Sequence, residues 1–366
     1  AEIEQGWNVI HQIESHEDSL CLFAYLNGEH TSREIEEKIA GNEEASALLR
    51  KLKSHQLIEE REKHQHNLSD IPVVVFLGHS GLLVRSGEDM FAVDPAIAPS
   101  TRMLADSNVP IDSVLNQVHA ILITHNHWDH LYYPTLARLR RDMKMIVPRV
   151  TRPTFPNPPM ASYLRSLGFT NVEERDPWEI LEFGDITLTL VPFFGEPFGL
   201  DSHFDGLTYH IKFGKFSLYG SVDTCQDEIG NMEEAIGKVA EMGSPDIFIF
   251  GSSGFRHKPA YTAANLRHFS NELIRRPDLV RFHPTQSDAL RWAKRLKPRA
   301  LIPYAQFLFQ GQKSANLGID AVLSHNAINL DGIPPKHAQW GSGLRNMANQ
   351  LGVPIQLLQP MQGLVA

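Results

Sequence analysis

Residues 125 to 130 read His-Asn-His-Trp-Asp-His, so three imidazoles and a carboxylate fall within six positions. Neutral imidazole nitrogens and carboxylate oxygens are ligands for first-row cations. A loop this short can aim His125 and His127 at one ion and Asp129 and His130 at a second nearby. A polar turn that is merely rich in histidine is the bland alternative. The placement argues against it: the motif follows Ile121-Leu122-Ile123-Thr124, an apolar β-branched run that reads as a buried strand. Donors crowded at the C-terminal end of a buried strand imply metal-dependent chemistry.

Thr124 to His130, with the Leu131 that follows, resembles the signature of the metallo-β-lactamase fold superfamily. Phe76-Leu77-Gly78-His79-Ser80-Gly81-Leu82-Leu83-Val84, then Phe91-Ala92-Val93-Asp94-Pro95, is similar to the opening strands of one of its branches. That branch holds the ascorbate-6-phosphate lactonases and the N-acylphosphatidylethanolamine-hydrolysing phospholipases D. The resemblance covers about residues 72 to 310. It implies an α/β fold, a four-layer αββα sandwich with two metals held between two β-sheets flanked by helices. It also places the segment around His79 near the metal cleft, where His79 either supports the ligands or is an ordinary buried histidine.

Two ions need more than four ligands, and the resemblance points to the others. Phe216 to Thr224 looks like the superfamily's strand ending in Gly-Asp-Thr, whose Asp bridges both metals; Val222 stands for the Gly, and Asp223 keeps the carboxylate. Arg281-Phe282-His283-Pro284, with Ser287, Asp288 and Ala289 on an expected helix, resembles the segment that supplies the last histidine. His283 is the choice there, with His257 and His268 as competitors. The branch also places a histidine soon after the Val-Pro that ends a strand, whereas this chain reads Val191-Pro192-Phe193-Phe194-Gly195-Glu196, with no histidine until His203. Glu196 is the side chain in that stretch able to bind a metal, and a salt bridge to an Arg is its alternative. Tyr304 stands where the branch's hydrolases carry a histidine, so it either hydrogen-bonds substrate or an oxygen species or simply packs at a strand end.

Exchanging an imidazole for a carboxylate hardens the site, and mixed oxygen and nitrogen ligation suits iron or manganese better than zinc. A ligand set of His125, His127, Asp129, His130, Glu196, Asp223 and His283 resembles that of the di-iron β-hydroxylase of chloramphenicol biosynthesis. That enzyme activates dioxygen on a carrier-bound amino acid. The expected function is therefore a dinuclear-metal enzyme, leaning to a di-iron oxygenase acting on a peptide-tethered, carrier-tethered or small-molecule substrate. The alternative is a metal-hydroxide hydrolase of an ester, lactone, amide or phosphodiester, in which Asp129 orients the attacking water. The expected cofactors are two iron ions, with zinc or manganese as alternatives.

The elements that must position these residues occupy the middle of a chain of 366 residues, long enough for one large domain and an appendage. Residues 1–66 form a separate acidic unit, with fourteen Asp and Glu against seven Lys and Arg. Leu20, Leu22, Phe23 and Leu26 give it one helical face. Thr31-Ser32-Arg33-Glu34 has the form of a capping box before a second helix, which Gly41-Asn42 ends. A third helix runs through Leu48, Leu49 and Leu52, and a strand starts near Gln56. Three helices and a strand resemble a winged-helix unit, more closely the small PqqD-like domains that hold a precursor peptide. Docking of a peptide or carrier protein, a dimerisation arm and a plain appendage all remain open for it.

Arg61 to Asp70 reads as a linker, in which His64 and His66 are read as part of an exposed loop, with metal ligation as the alternative. Residues 67–330 form the expected catalytic domain, and residues 331–366 an extension packed on it. Within the domain, Pro134 to Arg141 reads as a helix. Thr151 to Met160, with four prolines, reads as an irregular loop that walls the site, its Phe155 and Met160 being either substrate contacts or anchors. A net charge of −9 argues against a nucleic-acid partner. No apolar run approaches the ~18 residues of a membrane span. Cys21 and Cys225 give no disulfide framework, so the expected location is the cytoplasm, with a homodimer as the default assembly.

Overall fold

The structure is a computed structural model. It describes residues 32–54, 74–96, 114–127, 129–153, 157–195, 205–251, 284–304, 350–352 and 363–364. The expected helix over Leu20–Leu26, the strand near Gln56, the linker with His64 and His66 and the boundaries at 66 and 330 lie outside these residues. So does most of the C-terminal extension. Two helices of the N-terminal unit are described, α1 (Ser32–Lys38) and α2 (Glu43–Ser54), and between them the chain turns at Gly41 and Asn42. Ile35, Ile39, Ala45 and Leu49 bury one face of this pair in a cluster of their own.

Alternating apolar residues build two sheets. The first runs β13-β1-β2-β3-β4-β5-β6. Its strands are β1 (Val74–Gly78), β2 (Gly81–Ser86), β3 (Asp89–Val93), β4 (Ala120–Leu122), β5 (Met145–Pro148) and β6 (Val172–Arg175), with β13 (Gly363–Leu364) at the edge. The second runs β12-β11-β10-β9-β8-β7. It comprises β7 (Ile180–Phe183), β8 (Ile186–Pro192), β9 (Leu207–Phe213), β10 (Phe216–Gly220), β11 (Ile247–Gly251) and β12 (Ala300–Tyr304).

The two-residue period sorts these side chains into layers. Val74, Phe76, Leu82, Val84, Phe91 and Val93 face Leu188, Leu190, Tyr209, Ile211 and Ile249 across the space between the sheets. Their neighbours Val75, Leu83, Met90 and Ala92 point outward and are covered by Met160, Ala161 and Leu164 of α4 (Met160–Ser166) and by Leu136 of α3 (Tyr133–Leu136). On the far side, Tyr219, Phe248, Phe250 and Leu301 pack under α5 (Met232–Glu241) and α6 (Gln286–Leu296). Helix, sheet, sheet, helix is the expected four-layer sandwich.

One local expectation needs correction, and one alternative left open is decided. The helix expected over Pro134 to Arg141 is a single turn, Tyr133–Leu136. The Arg140 amide, which would extend it, donates instead to Asn116 Oδ1 at 2.8 Å. The Arg141 guanidinium then donates to the carbonyls of Leu136 and Ala137 at 3.1 and 3.0 Å. Met160, one of two candidate substrate contacts, opens α4 and is buried in the layer beneath it, so it anchors the proline-rich loop. Phe155 lies outside the described residues.

One buried titratable group lies away from the site. His210 on β9 stands between Thr189 and Tyr219 in the sheet register and is 1% exposed. Burial, assisted by the charge of Lys212, pushes its imidazole down to about 4. The unfolded chain binds that proton near pH 6.5, so the neutral ring stabilises the fold fully above that pH and the contribution is lost as the pH falls toward 4. In the metal-free protein, denaturant unfolding at pH 7.5 and 4.5 should show a loss of which about 2–3 kcal/mol disappears in His210→Leu.

Candidate metal centre

The site forms where strands from both sheets end. β3 and β4 are parallel neighbours in one sheet, and β10, β11 and β12 are parallel neighbours in the other. The residues that follow β3, β4 and β10 are therefore brought out at strand C-termini, where open sheets of this kind gather their functional groups.

β4 stops at Leu122, yet the chain stays buried through Thr124 and His125. It then turns sharply, the amides of His130 and Leu131 both donating to the His127 carbonyl at 3.0 and 2.8 Å. The turn folds the motif on itself. The rings of His125 and His130 lie 3.9 Å apart between centroids, and those of His125 and His127 4.7 Å apart. Asp223, three residues beyond Gly220 at the end of β10, meets the motif from the other sheet, its Oδ2 lying 3.2 Å from His130 Nε2.

Behind these donors is a carboxylate whose role the sequence did not disclose. Asp94, with no solvent exposure, accepts from the Thr124 amide at 2.7 Å, from Thr124 Oγ1 at 2.5 Å and from His130 Nδ1 at 2.7 Å. Because a carboxylate only accepts, Nδ1 of His130 carries the hydrogen and Nε2 is turned toward Asp223. Thr124 Oγ1 also lies 2.9 Å from His125 Nδ1, so Asp94 orients two imidazoles, one directly and one through the threonine. A carboxylate just past the C-terminus of the strand parallel to the motif strand was the available signal.

His79 lies against the histidine motif. Its Nε2 is 2.9 Å from Asp129 Oδ2, and its ring stands edge-on to that of His130 with centroids 5.5 Å apart. Burial opposes charge on Asp129, but the hydrogen bond and charge of His79, with His130 and His127 nearby, hold its carboxyl well below the usual range. Burial likewise opposes charge on His130, yet Asp94 and Asp223 hold it well above an ordinary imidazole.

The residues fit a metal. One donor atom from each of His79, His130 and Asp223 lies within 4.8 Å of the other two, and His125, His127 and Asp129 adjoin them on the same turn. A cation between His130 Nε2 and Asp223 would satisfy two buried lone-pair donors that face each other.

The remaining candidates fall at the margins of the described chain. Glu196 and His283, with the competitors His257 and His268, lie outside it. The residues leading to Glu196 are tied to the turn after Asp223: the Cys225 amide donates to Phe194 O at 2.7 Å and the Gly195 amide to Asp227 Oδ2 at 3.3 Å. Just after His283, a capping box of Thr285 and Asp288 opens α6, and Cys225 Sγ lies 3.9 Å from Asp288 Oδ2. Tyr304 ends β12 opposite Gly251, its side chain lying outside the described atoms.

Backbone strain gathers here. His79, Asp94 and Val222 have φ of 49°, 41° and 53°, in the left-handed region. A β-branched residue there is an outlier, which explains why the superfamily's pattern has Gly where this chain has Val222. The left-handed form costs about 1–2 kcal/mol. Full burial of the valyl side chain between the sheets offsets it by about 1.5–3 kcal/mol.

Two substitutions test the geometry. Asp94→Asn removes the charge behind His130 and should weaken metal binding about 10- to 100-fold, read by competition with a chromophoric chelator. At Gly251 an added Cβ would lie 2.7 Å from Asp223 Oδ1 and 2.8 Å from Val222 O. Gly251→Ala should therefore displace the carboxylate and lower metal content while the sheet, followed by far-UV circular dichroism, persists.

Comparison with known proteins bears on the family and the fold. A 158-residue stretch, 43% of the chain, is 31% identical to a Streptomyces venezuelae protein, the 3-hydroxylase of 4-amino-L-phenylalanyl-CmlP-peptidyl-carrier-protein. The stretch covers 30% of that relative, so the likeness spans under a third of its length. The crystal structure of CmlA, a diiron β-hydroxylase from Streptomyces venezuelae, superposes with a TM-score of 0.63 at 21% identity, over 94% of this chain and 62% of that one. A possible metal-dependent hydrolase from Veillonella parvula superposes with a TM-score of 0.52 at 13% identity, over 81% and 100% of the two chains. Both structural likenesses speak to the fold. The family model for the β-lactamase superfamily domain matches residues 91–304, which contain the histidine motif, Asp94 and Asp223, and on that match the chain belongs to the β-lactamase superfamily.

Proposed function

We propose that the chain is a di-iron hydroxylase that uses dioxygen on a carrier-tethered or peptide-tethered substrate. The observation that carries the reading is the donor set. Phe193, Phe194 and Gly195 follow β8 where a third histidine would stand in the hydrolytic branch, and the next donor is Glu196. Nitrogen from His125, His127, His130 and His283, with oxygen from Asp129, Asp223 and Glu196, favours iron over zinc. The 31% identity to a hydroxylase of a carrier-bound amino acid supports the same chemistry and substrate class.

When bound, the metal pair would supply activation of dioxygen for insertion of one oxygen atom into a C–H bond. The other oxygen atom leaves as water, and two electrons and two protons come from an external donor. The chain's own residues hold and shield the pair. Asp94 keeps the proton of His130 on Nδ1 so that Nε2 is available as a ligand. His79 holds Asp129 ionised and oriented. Phe193, fully within the core and 5.0 Å from the His125 ring, excludes water from that flank.

The acidic N-terminal unit, of which α1 and α2 are described, is read as the docking module that presents the tethered substrate, and Tyr304 as a substrate-facing residue. A homodimer is the assembly we expect. Among the described residues no helix is long and apolar enough to cross a membrane.

The competing reading is metal-hydroxide hydrolysis. Protein purified without added metal decides between them: two irons per chain, a ferric absorption band and a 16 Da gain on a carrier-bound amino acid under dioxygen and reductant support hydroxylation. Two zincs, no colour and turnover of a generic phosphodiester or ester overturn it. Glu196→His should lower the iron-to-zinc ratio of the purified protein.

A further inference from the structure

Three consecutive residues at the entrance to β9 touch the metal-binding turn by three separate routes. The Leu207 amide donates to the Thr124 carbonyl at 2.9 Å, joining the two sheets immediately before the motif. Gly206 leaves room for Phe193: an added Cβ would lie 2.8 Å from that ring, and the ring rests against His125 with centroids 5.0 Å apart. Asp205 reaches the turn through the proline-rich loop. Its Oδ2 accepts from the Thr151 amide at 3.2 Å and from Asn157 Nδ2 at 3.3 Å, and its Oδ1 from Thr151 Oγ1 at 3.0 Å. Asn157, 2% exposed, presents its Oδ1 to Asn126 Nδ2 at 3.4 Å.

Asn126 is the residue between His125 and His127. From these contacts we infer that Asp205 is a positioning residue for the His125–His127 pair, acting through Asn157 and Asn126. The inference rests on the two-metal reading above. The other half of the motif has its own support, since Asp129 leans on His79 and His130 on Asp94 and Ser80. Thr124 joins the halves through Asp94, but Asn126 and His127 lie beyond it. The two ions therefore share the support of Asp94 and differ in the Asn157–Asn126 contact, which among these contacts serves the His125–His127 pair alone. Loss of the Asp205 link weakens the ion bound by His125 and His127 and spares the ion bound by Asp129 and His130. A merely structural carboxylate would lower stability and weaken both ions together.

This role also explains why a loop with four prolines is tied down at the cleft. Asp205 binds both described flanks of the loop, Thr151 before and Asn157 after. Asn157 is thereby held in place to receive Asn126.

Anaerobic titration of the metal-free protein with ferrous iron, repeated with zinc, tests the inference. Wild type should take up two ions. Asp205→Ala should retain one and bind the second about 10- to 100-fold more weakly. Asp205→Asn, which keeps an acceptor for Asn157, should recover most of the loss. Asn157→Ala, which leaves the Thr151 bonds in place, should reproduce the selective defect and decides the matter if Asp205→Ala does not fold. Equal weakening of both ions, or none, in folded Asp205→Ala and Asn157→Ala overturns the positioning role while leaving the two-metal reading intact. Uptake of fewer than two ions by wild type overturns both.

Discussion

Asp94 sits at the end of β3 with no exposure to solvent and is bonded to the amide and hydroxyl of Thr124 and to Nδ1 of His130. An isolated carboxylate in such a place would be strongly disfavoured, and its three hydrogen bonds make the burial tolerable. Each bond also fixes something beyond itself. The Thr124 amide locks the exit of β4 to the exit of β3. The imidazole bond selects the tautomer that turns Nε2 toward Asp223 on the other sheet. A single buried charge thus determines where the first sheet ends, how the motif turns and which face of His130 is offered to a metal.

The two halves of the sandwich meet at this point for a topological reason. Parallel strands deliver their C-terminal ends to the same edge, and each sheet has one parallel segment, β3 to β6 in the first and β10 to β12 in the second. The layer between the sheets, in which Leu122, Phe193, Tyr209, Val222 and Ile249 all take part, keeps the two edges in contact. Apolar burial of that extent is non-directional, so it can hold the sheets together but cannot aim a ligand. Aim comes from short polar links between the two edges, among them Leu207 to Thr124, Asp205 to Asn157 and His130 to Asp223.

The strained residues fit the same division. His79, Asp94 and Val222 keep left-handed backbones in the segments that leave β1, β3 and β10, beside the histidine motif. Two are polar and point their side chains at Asp129 and His130 of the motif, while the third is a valine that anchors Asp223 from the core. Rigid ligand placement of this kind lets a metal site discriminate between ions by geometry and donor type.

The sequence by itself determined the alternation that makes two-sided strands, the histidine motif at the end of the β4 run and the carboxylate at Asp223. All three are local patterns whose period or residue type carries the signal. It could not determine that Asp94, thirty residues before Thr124, is the group that orients His130, because that depends on β3 and β4 lying side by side and parallel. Nor could it show that the helix after the motif stops at Leu136, which follows from an amide captured by Asn116 more than twenty residues away. Hydrogen bonds are short and directional, so partners distant in sequence are set by tertiary contact and leave no periodic trace in the chain.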